Sequence, residues 1–301
     1  LFNGQLVIFP TETVYGIGAN ANNLEAIELI YEIKERPINN PLICHFANLN
    51  QIEKDFILKE KDYELASVFW PGPLTLILEK KQSSQISHLV SNNQKLVGCR
   101  IPNNKIALNL LSILDFPLAA PSANIATRTS TTSIKDLDDN LKKIFYIDGG
   151  ASVLGLESTV IQTTSDGCKI LRLGSLTIEE IKNKFSHYIV NINGSKISPG
   201  NQKKHYSPVK PIRINVDYVK ENETLLNYGK NKLNSNIKNM NLSKDEDLIE
   251  ASHNFYHYLN ILDKTDCASI AVAPIPEVGL GKTINDRLRR ATYKDKKLFN
   301  N

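Results

Sequence analysis

The stretch QLVIFPTETVYGIGANANNLEAIELIYEIKERP, residues 5–37, carries the reading of the fold. Residues 5–9 alternate in polarity and stop at Pro10, which is the pattern of a strand running into a loop. Over residues 24–34 the apolar positions Ile27, Ile30, Tyr31 and Ile33 recur at helical spacing, and Asn22 with Glu25 stands where an N-terminal capping pair belongs. Short apolar runs follow at 42–46, 74–78, 96–101, 118–120, 145–147 and 159–162, with helical candidates at 63–69 and 106–114 between them. That mixture predicts an α/β domain built on a twisted sheet.

Near Val190 the pattern gives way to NINGSKISPGNQKKHYSPVKP, residues 191–211, a polar stretch with a basic cluster that is long enough to join two domains. The reading is a first domain over 1–188, a linker over 189–211 and a smaller α/β, Rossmann-like domain over 212–301. In the second domain a strand is expected at 212–216, a helix at 248–262, an apolar run at 270–273 and a basic helix at 284–292. The Lys- and Asn-rich segment 221–247 reads as a mobile surface region.

With 301 residues, 41% hydrophobic and 23% charged, the chain has the composition of a globular protein rather than a disordered one. No run approaches the roughly 20 apolar residues that span a bilayer, and the opening LFNGQLVIFP lacks a secretory layout, so a cytoplasmic location without a membrane is expected. The first residue is Leu1 rather than Met, which suggests a missing start segment. Cys44, Cys99, Cys168 and Cys267 form no C-x-x-C pair and read as small core residues. The formal charge of +4 is compatible with an anionic partner such as a nucleotide or tRNA without demonstrating one.

Three polar clusters interrupt apolar strand ends, where α/β sheets bind their ligands. The first joins the loop Pro10 to Gly16 with Lys34, Arg36, Asn40 and His45. Two cations beside a proline-fixed turn can hold a polyphosphate, while spacing alone favours a helix C-terminus stabilised by its dipole. The second is APSAN, residues 120–124, where Ala120 leaves room and Ser122 and Asn124 can hydrogen-bond a ligand. The third is GLESTV, residues 155–160, with Arg172 downstream at a strand end. Arg100, set among apolar residues, needs a carboxylate or a ligand anion. Glu12 reads either as a general base or as an acceptor fixing its loop.

These segments resemble the YrdC-like threonylcarbamoyl-adenylate synthases in their long, two-domain form. PTETVYGIG, KERPINNPLICH, WPGPLT, APSAN and GLESTV match the catalytic domain, SPGNQKKHYSP the linker and GLGKTINDRLRRA the end of the second domain. The resemblance implies a concave, basic catalytic domain that consumes ATP, L-threonine and bicarbonate, with Mg²⁺ assisting. Thr13, His45, Arg100, Ala120 and Ser158 would hold threonine. Lys34 and Arg36, the implied catalytic cations, would hold the triphosphate with Asn40, while Ser122, Asn124, Ser130 and Arg172 would serve the adenylate. No residue is assigned to a metal. A threonine carbamate would attack the α-phosphorus and expel pyrophosphate, and a transferase complex acting on tRNA would use the product.

Two rival readings remain: an RNA-binding module using the basic concavity, and a carbamoyl-adenylating relative with another substrate. Residues 198–208 are expected to close over the site as a lid with Tyr206 on the nucleotide, or to pack the domains together. GLGKT, residues 279–283, lacks the first glycine of a phosphate loop, since Pro276 stands there. His253 and His257 read as surface or packing histidines, and Trp70 to Pro73 as a rigid turn with a half-buried indole.

Overall fold

The computed structural model describes residues 1–192 and 206–292. Strand β1 (Val7–Phe9) ends at Pro10 and pairs antiparallel with β2 (Gly16–Asn20), so residues 10–15 form the loop between them. Helix α1 (Leu24–Ile33) buries Ala26, Ile27, Ile30 and Tyr31. Its cap is Asn23, whose side chain accepts from the Ala26 N–H at 3.0 Å, one residue later than the Asn22 and Glu25 pair expected. At the other end Glu35 adopts a left-handed φ of 51°, and the Arg36 N–H turns back to the Tyr31 carbonyl at 2.8 Å. With the Glu35 N–H on Glu32 at 3.0 Å, this is a Schellman stop, and it directs the chain after α1 toward β3 (Ile43–His45).

The first domain continues through α2 (Leu49–Asp55), β4 (Phe56–Ile57), α3 (Glu60–Phe69), β5 (Leu74–Lys80), β6 (Leu96–Arg100), α4 (Lys105–Ser112) and β7 (Leu118–Ala119). It ends with β8 (Thr159–Thr164), β9 (Gly167–Arg172), α5 (Ile178–Lys184) and β10 (Ile189–Ile192). The mixed sheet has the order β1-β2-β7-β3-β6-β5-β8-β9-β10, with β4 on β5. Because β10 pairs with β9, the first sheet runs four residues past the boundary drawn at 188. The run 145–147 is a correction: it makes one bridge, Ile8 to Tyr146, and leaves Phe145 72% exposed instead of forming a strand. All four cysteines are buried. Trp70 is partly buried and donates its indole N–H to the Leu74 carbonyl at 2.7 Å, as a turn residue would.

The second domain holds β11 (Ile212–Arg213), β12 (Glu223–Asn227), β13 (Asn239–Asn241), α6 (Leu248–Asp263), β14 (Ser269–Val272) and α7 (Gly279–Ala291). Its sheet is all parallel, in the order β11-β14-β12-β13. This corrects the reading of 221–247 as mobile surface, for β12 is buried throughout and lies between two partners. Polar neighbours conceal it in the sequence, and Glu223 enters the sheet because Arg213 covers it at 2.6 Å and lowers its carboxyl to about 2.

Helices α6 and α7 dock on the first domain. Gly155 has a φ of 74°, and a Cβ there would stand 2.2 Å from the Ser252 carbonyl, so only glycine lets α6 approach this closely. Ser252 donates to the Leu154 carbonyl at 2.9 Å, and Thr283 of α7 donates to the Gly174 carbonyl at 3.0 Å. His257 faces Asp136 at 2.9 Å, and Lys282 reaches Glu179 at 2.6 Å. Lys282 and Thr283 of the GLGKT segment thus join the domains. If β12 is the spine of the second domain, Leu226→Ala should lower unfolding free energy by about 2–5 kcal/mol in a denaturant titration. A loss below about 0.5 kcal/mol would return the segment to the surface.

Candidate functional site

The polar clusters meet in one pocket at the strand ends. The loop after β1 supplies Thr11, Thr13 and Tyr15, and the segment after α1 supplies Arg36, Pro41 and His45. Arg100 ends β6, Ala120 and Ser122 follow β7, Glu157 and Ser158 precede β8, and Arg172 ends β9. Tyr206 closes the ring from the start of the second described segment.

Each cation is held in place. Arg100 donates to the Gly72 carbonyl at 3.2 Å, the Thr13 hydroxyl at 2.8 Å and Glu12 Oε1 at 2.7 Å. Glu12 is therefore an acceptor for Arg100, while its Oε2 is buried without a hydrogen-bond partner. Arg36 donates to the Asn40 and Pro41 carbonyls at 3.0 and 2.8 Å, not to the open end of α1. Arg172 grips the Ser158 carbonyl at 2.8 Å and the Ser158 hydroxyl at 3.1 Å. Burial draws Arg36 down to about 10 and lowers Arg172 as well, yet both stay cationic at neutral pH. His45 is neutral, because burial and then Arg100 lower it to about 3. Its Nδ1 lies 3.2 Å from the Ile43 carbonyl.

Several expected residues stand behind the pocket wall. Lys34 is 1% exposed and donates to the Ser122 and Asn124 carbonyls, and burial lowers its pKa well below the ordinary ammonium value. It fixes the APSAN loop and is absent from the pocket lining among the described residues. Asn124 accepts from the Ser122 hydroxyl and donates to the Ile125 and Arg128 carbonyls at 2.7 and 3.0 Å. Asn40 presents its carbonyl to Arg36, and the Ala120 N–H is engaged by the Ile43 carbonyl at 2.9 Å. Ser130 is fully buried and donates to Glu157 Oε1 at 2.5 Å.

Tyr206 is 2% exposed, lies 6.1 Å from the Tyr256 ring and sits beneath the Arg287 guanidinium at 4.5 Å. It both lines the pocket and packs between domains. Of the expected lid, 198–208, residues 198–205 lie outside the described residues. Sequence reasoning gave no role to Glu157, Tyr256 or Arg287. The acid inside GLESTV was the available signal, since a carboxylate flanked by apolar and hydroxyl residues needs a cation.

Among the described residues no group of three His, Cys, Asp or Glu side chains is set to hold a metal ion. Glu12 and Glu157 are both engaged by guanidinium groups. The site thus does not fit a protein cage for Mg²⁺. No helix among the described residues is long and apolar enough to cross a membrane.

The chain is similar to known proteins over most of its length. The Sua5/YciO/YrdC family model, described as "Telomere recombination", matches residues 1–174. A second model, "Threonylcarbamoyl-AMP synthase, C-terminal domain", matches residues 176–292. The threonylcarbamoyl-AMP synthase of Pyrococcus abyssi is 36% identical over 96% of this chain and 91% of its own length. That of Bacillus subtilis is 40% identical over 71% of this chain and 64% of its own length. The crystal structure of P. abyssi Sua5 complexed with L-threonine superposes with a TM-score of 0.84 at 32% identity, covering 96% of this chain and 91% of that one. The chain belongs to the Sua5/YciO/YrdC family, in the two-domain form that carries the threonylcarbamoyl-AMP synthase C-terminal domain.

Proposed function

We propose that this pocket makes threonylcarbamoyl-AMP from ATP, L-threonine and bicarbonate, releasing pyrophosphate. The observation that carries the reading is the convergence of three buried guanidiniums, Arg36, Arg100 and Arg172, with Thr13, Ser158 and a neutral imidazole. A pocket of that kind suits two small anions brought face to face. Reading an RNA backbone instead needs cations spread along a surface. The names of the relatives and the threonine complex of the P. abyssi protein support the same reading.

In this reading Arg100, with Thr13, Ser158, His45 and the backbone at Ala120, receives threonine, and Arg100 shares its guanidinium between Glu12 and the amino acid's carboxylate. Arg36 faces the triphosphate, while Asn40 and Lys34 serve it by fixing the loops around it. Ser122, Arg172 and Tyr206 face the adenylate, with Asn124 and Ser130 behind them. The amine of threonine condenses with bicarbonate to a carbamate with loss of water, and a carbamate oxygen attacks the α-phosphorus as pyrophosphate leaves. The protein supplies alignment and charge neutralisation, so no protein nucleophile is required. Mg²⁺, if it assists, would be brought by the nucleotide, and no step here depends on a protein-held ion. The product goes to a cytoplasmic enzyme that modifies tRNA.

Pyrophosphate release, measured with ATP while threonine or bicarbonate is left out in turn, should require both. Release that is indifferent to both would refute the reading, and salt-sensitive RNA binding without ATP turnover would favour the RNA module. Arg100→Ala should weaken threonine binding by about 2–5 kcal/mol and ATP binding far less, whereas Arg36→Ala should show the reverse, by calorimetric titration of each ligand. Equal losses for both ligands in both variants would mean that these residues support the fold rather than separate subsites.

His45 also makes a prediction in pH. Its folded value of about 3 lies below the ordinary 6.5, so the unfolded chain takes up a proton first as the pH falls. The stability from a neutral His45 is complete above 6.5 and is lost as the pH drops toward 3. Between about pH 7 and pH 5 the stability advantage of the native protein over His45→Asn should shrink by about 2 kcal/mol. A constant difference over that range would show that the imidazole is not held neutral.

A further inference from the structure

Among the described residues lining the pocket, Glu157 is the sole carboxylate, and it is 5% exposed. A buried negative charge beside a site for phosphates raises two difficulties: it repels the ligand, and it competes for the cations meant to bind that ligand. Both Glu157 oxygens are covered. Oε1 accepts from the Ser130 hydroxyl at 2.5 Å and the Tyr256 hydroxyl at 2.8 Å, and Oε2 accepts from Arg287 Nε at 2.9 Å. Two of these three donors belong to the second domain, Tyr256 on α6 and Arg287 on α7.

Arg287 is fully buried and does not line the pocket. Besides Glu157 it donates to Asp286 at 2.5 Å and to the Leu173 carbonyl at 2.6 Å, and its guanidinium backs the Tyr206 ring at 4.5 Å. Its neighbour Arg172 also acts on Glu157. Burial alone raises the Glu157 carboxyl, but Arg287 first, then Arg172, then the Ser130 and Tyr256 hydroxyls bring it down to about 2. Among the described residues the other cation acting on Glu157 is Arg172, which holds Ser158 of the pocket lining.

We propose that Arg287 is a positioning residue for the reaction: by neutralising Glu157 and backing Tyr206, it keeps Arg172 on Ser158 and lets phosphate approach, so the second domain completes the catalytic site. This rests on the reading of the pocket given above. Failure of that reading would show in the unmodified protein as pyrophosphate release without need of threonine, whereas failure of this inference shows only in the variants.

The test measures KM and kcat for ATP and threonine, with thermal melting, in the full chain carrying Arg287→Met, Arg287→Lys, and Arg287→Met combined with Glu157→Gln. Arg287→Met should raise the KM for ATP by about tenfold or more, with a smaller change for threonine. Arg287→Lys, which keeps the charge, should stay within about threefold of the original KM. Removing both charges should recover the KM for ATP to within about threefold even if melting stays lower, because the buried carboxylate is gone. A folded Arg287→Met protein with unchanged KM for ATP, or a double variant as weak as the single one, overturns the proposal. Should Arg287→Met not fold, the folded double variant decides: recovery supports the proposal, and a tenfold or larger rise in KM defeats it.

Discussion

A carboxylate withdrawn from water must be ionised against a large solvation penalty or stay protonated, and Glu157 faces that choice at the wall of the pocket. The structure resolves it with donors drawn from three separate parts of the chain: Ser130 of the catalytic half, Tyr256 of α6 and Arg287 of α7. Solvating this one group therefore requires the two domains to be docked. The rest of the interface follows the same geometry. Gly155 admits α6, Ser252 and Thr283 satisfy carbonyls of the catalytic half, and Lys282 closes the edge on Glu179.

A second regularity concerns how the other cations are satisfied. Arg36, Lys34 and Arg172 take backbone carbonyls as partners, with the Ser158 hydroxyl added for Arg172. Carbonyl dipoles orient a cation without cancelling its charge, so Arg36 keeps its positive charge directed at the pocket. Arg100 and Arg172 also feel carboxylates, Arg100 through its ion pair with Glu12 and Arg172 through the neighbouring Glu157. The loops owe their shape to these contacts: Lys34 ties α1 to the APSAN segment, and the Schellman stop at Glu35 sets the path on which Arg36 meets Asn40 and Pro41. Charge and backbone conformation are thus fixed by the same bonds.

The α/β class and most strands of the catalytic half were legible in the sequence because apolar runs in a buried sheet stand out against polar loops. Thr13, His45, Arg100, Ser122, Ser158 and Arg172 meet in the pocket because each stands in a polar interruption at a strand end. Lys34 and Ser130 were harder. Their residue types suit a ligand, but whether a side chain faces the pocket or a carbonyl behind it depends on the packing of α1 and on Glu157, which spacing does not encode. β12 was hidden because its short core is flanked by Lys and Asn, and its burial comes from pairing with β13 and β14. Arg287 lies far from the pocket along the chain, and only the docking of α7 reveals its partner.

The buried cysteines carry a consequence for chemical labelling. Burial raises the thiols of Cys44, Cys99 and Cys168, the last to about 11, and Cys267 is only 7% exposed. Alkylating reagents act on accessible thiolates, and the folded protein offers them very little at neutral pH. A cysteine introduced on the surface, for instance at Ile113, which is 75% exposed, becomes the dominant reactive thiol without removal of the native four. A probe attached there or on the second domain can report domain separation in the otherwise unaltered chain, because the native thiols are buried.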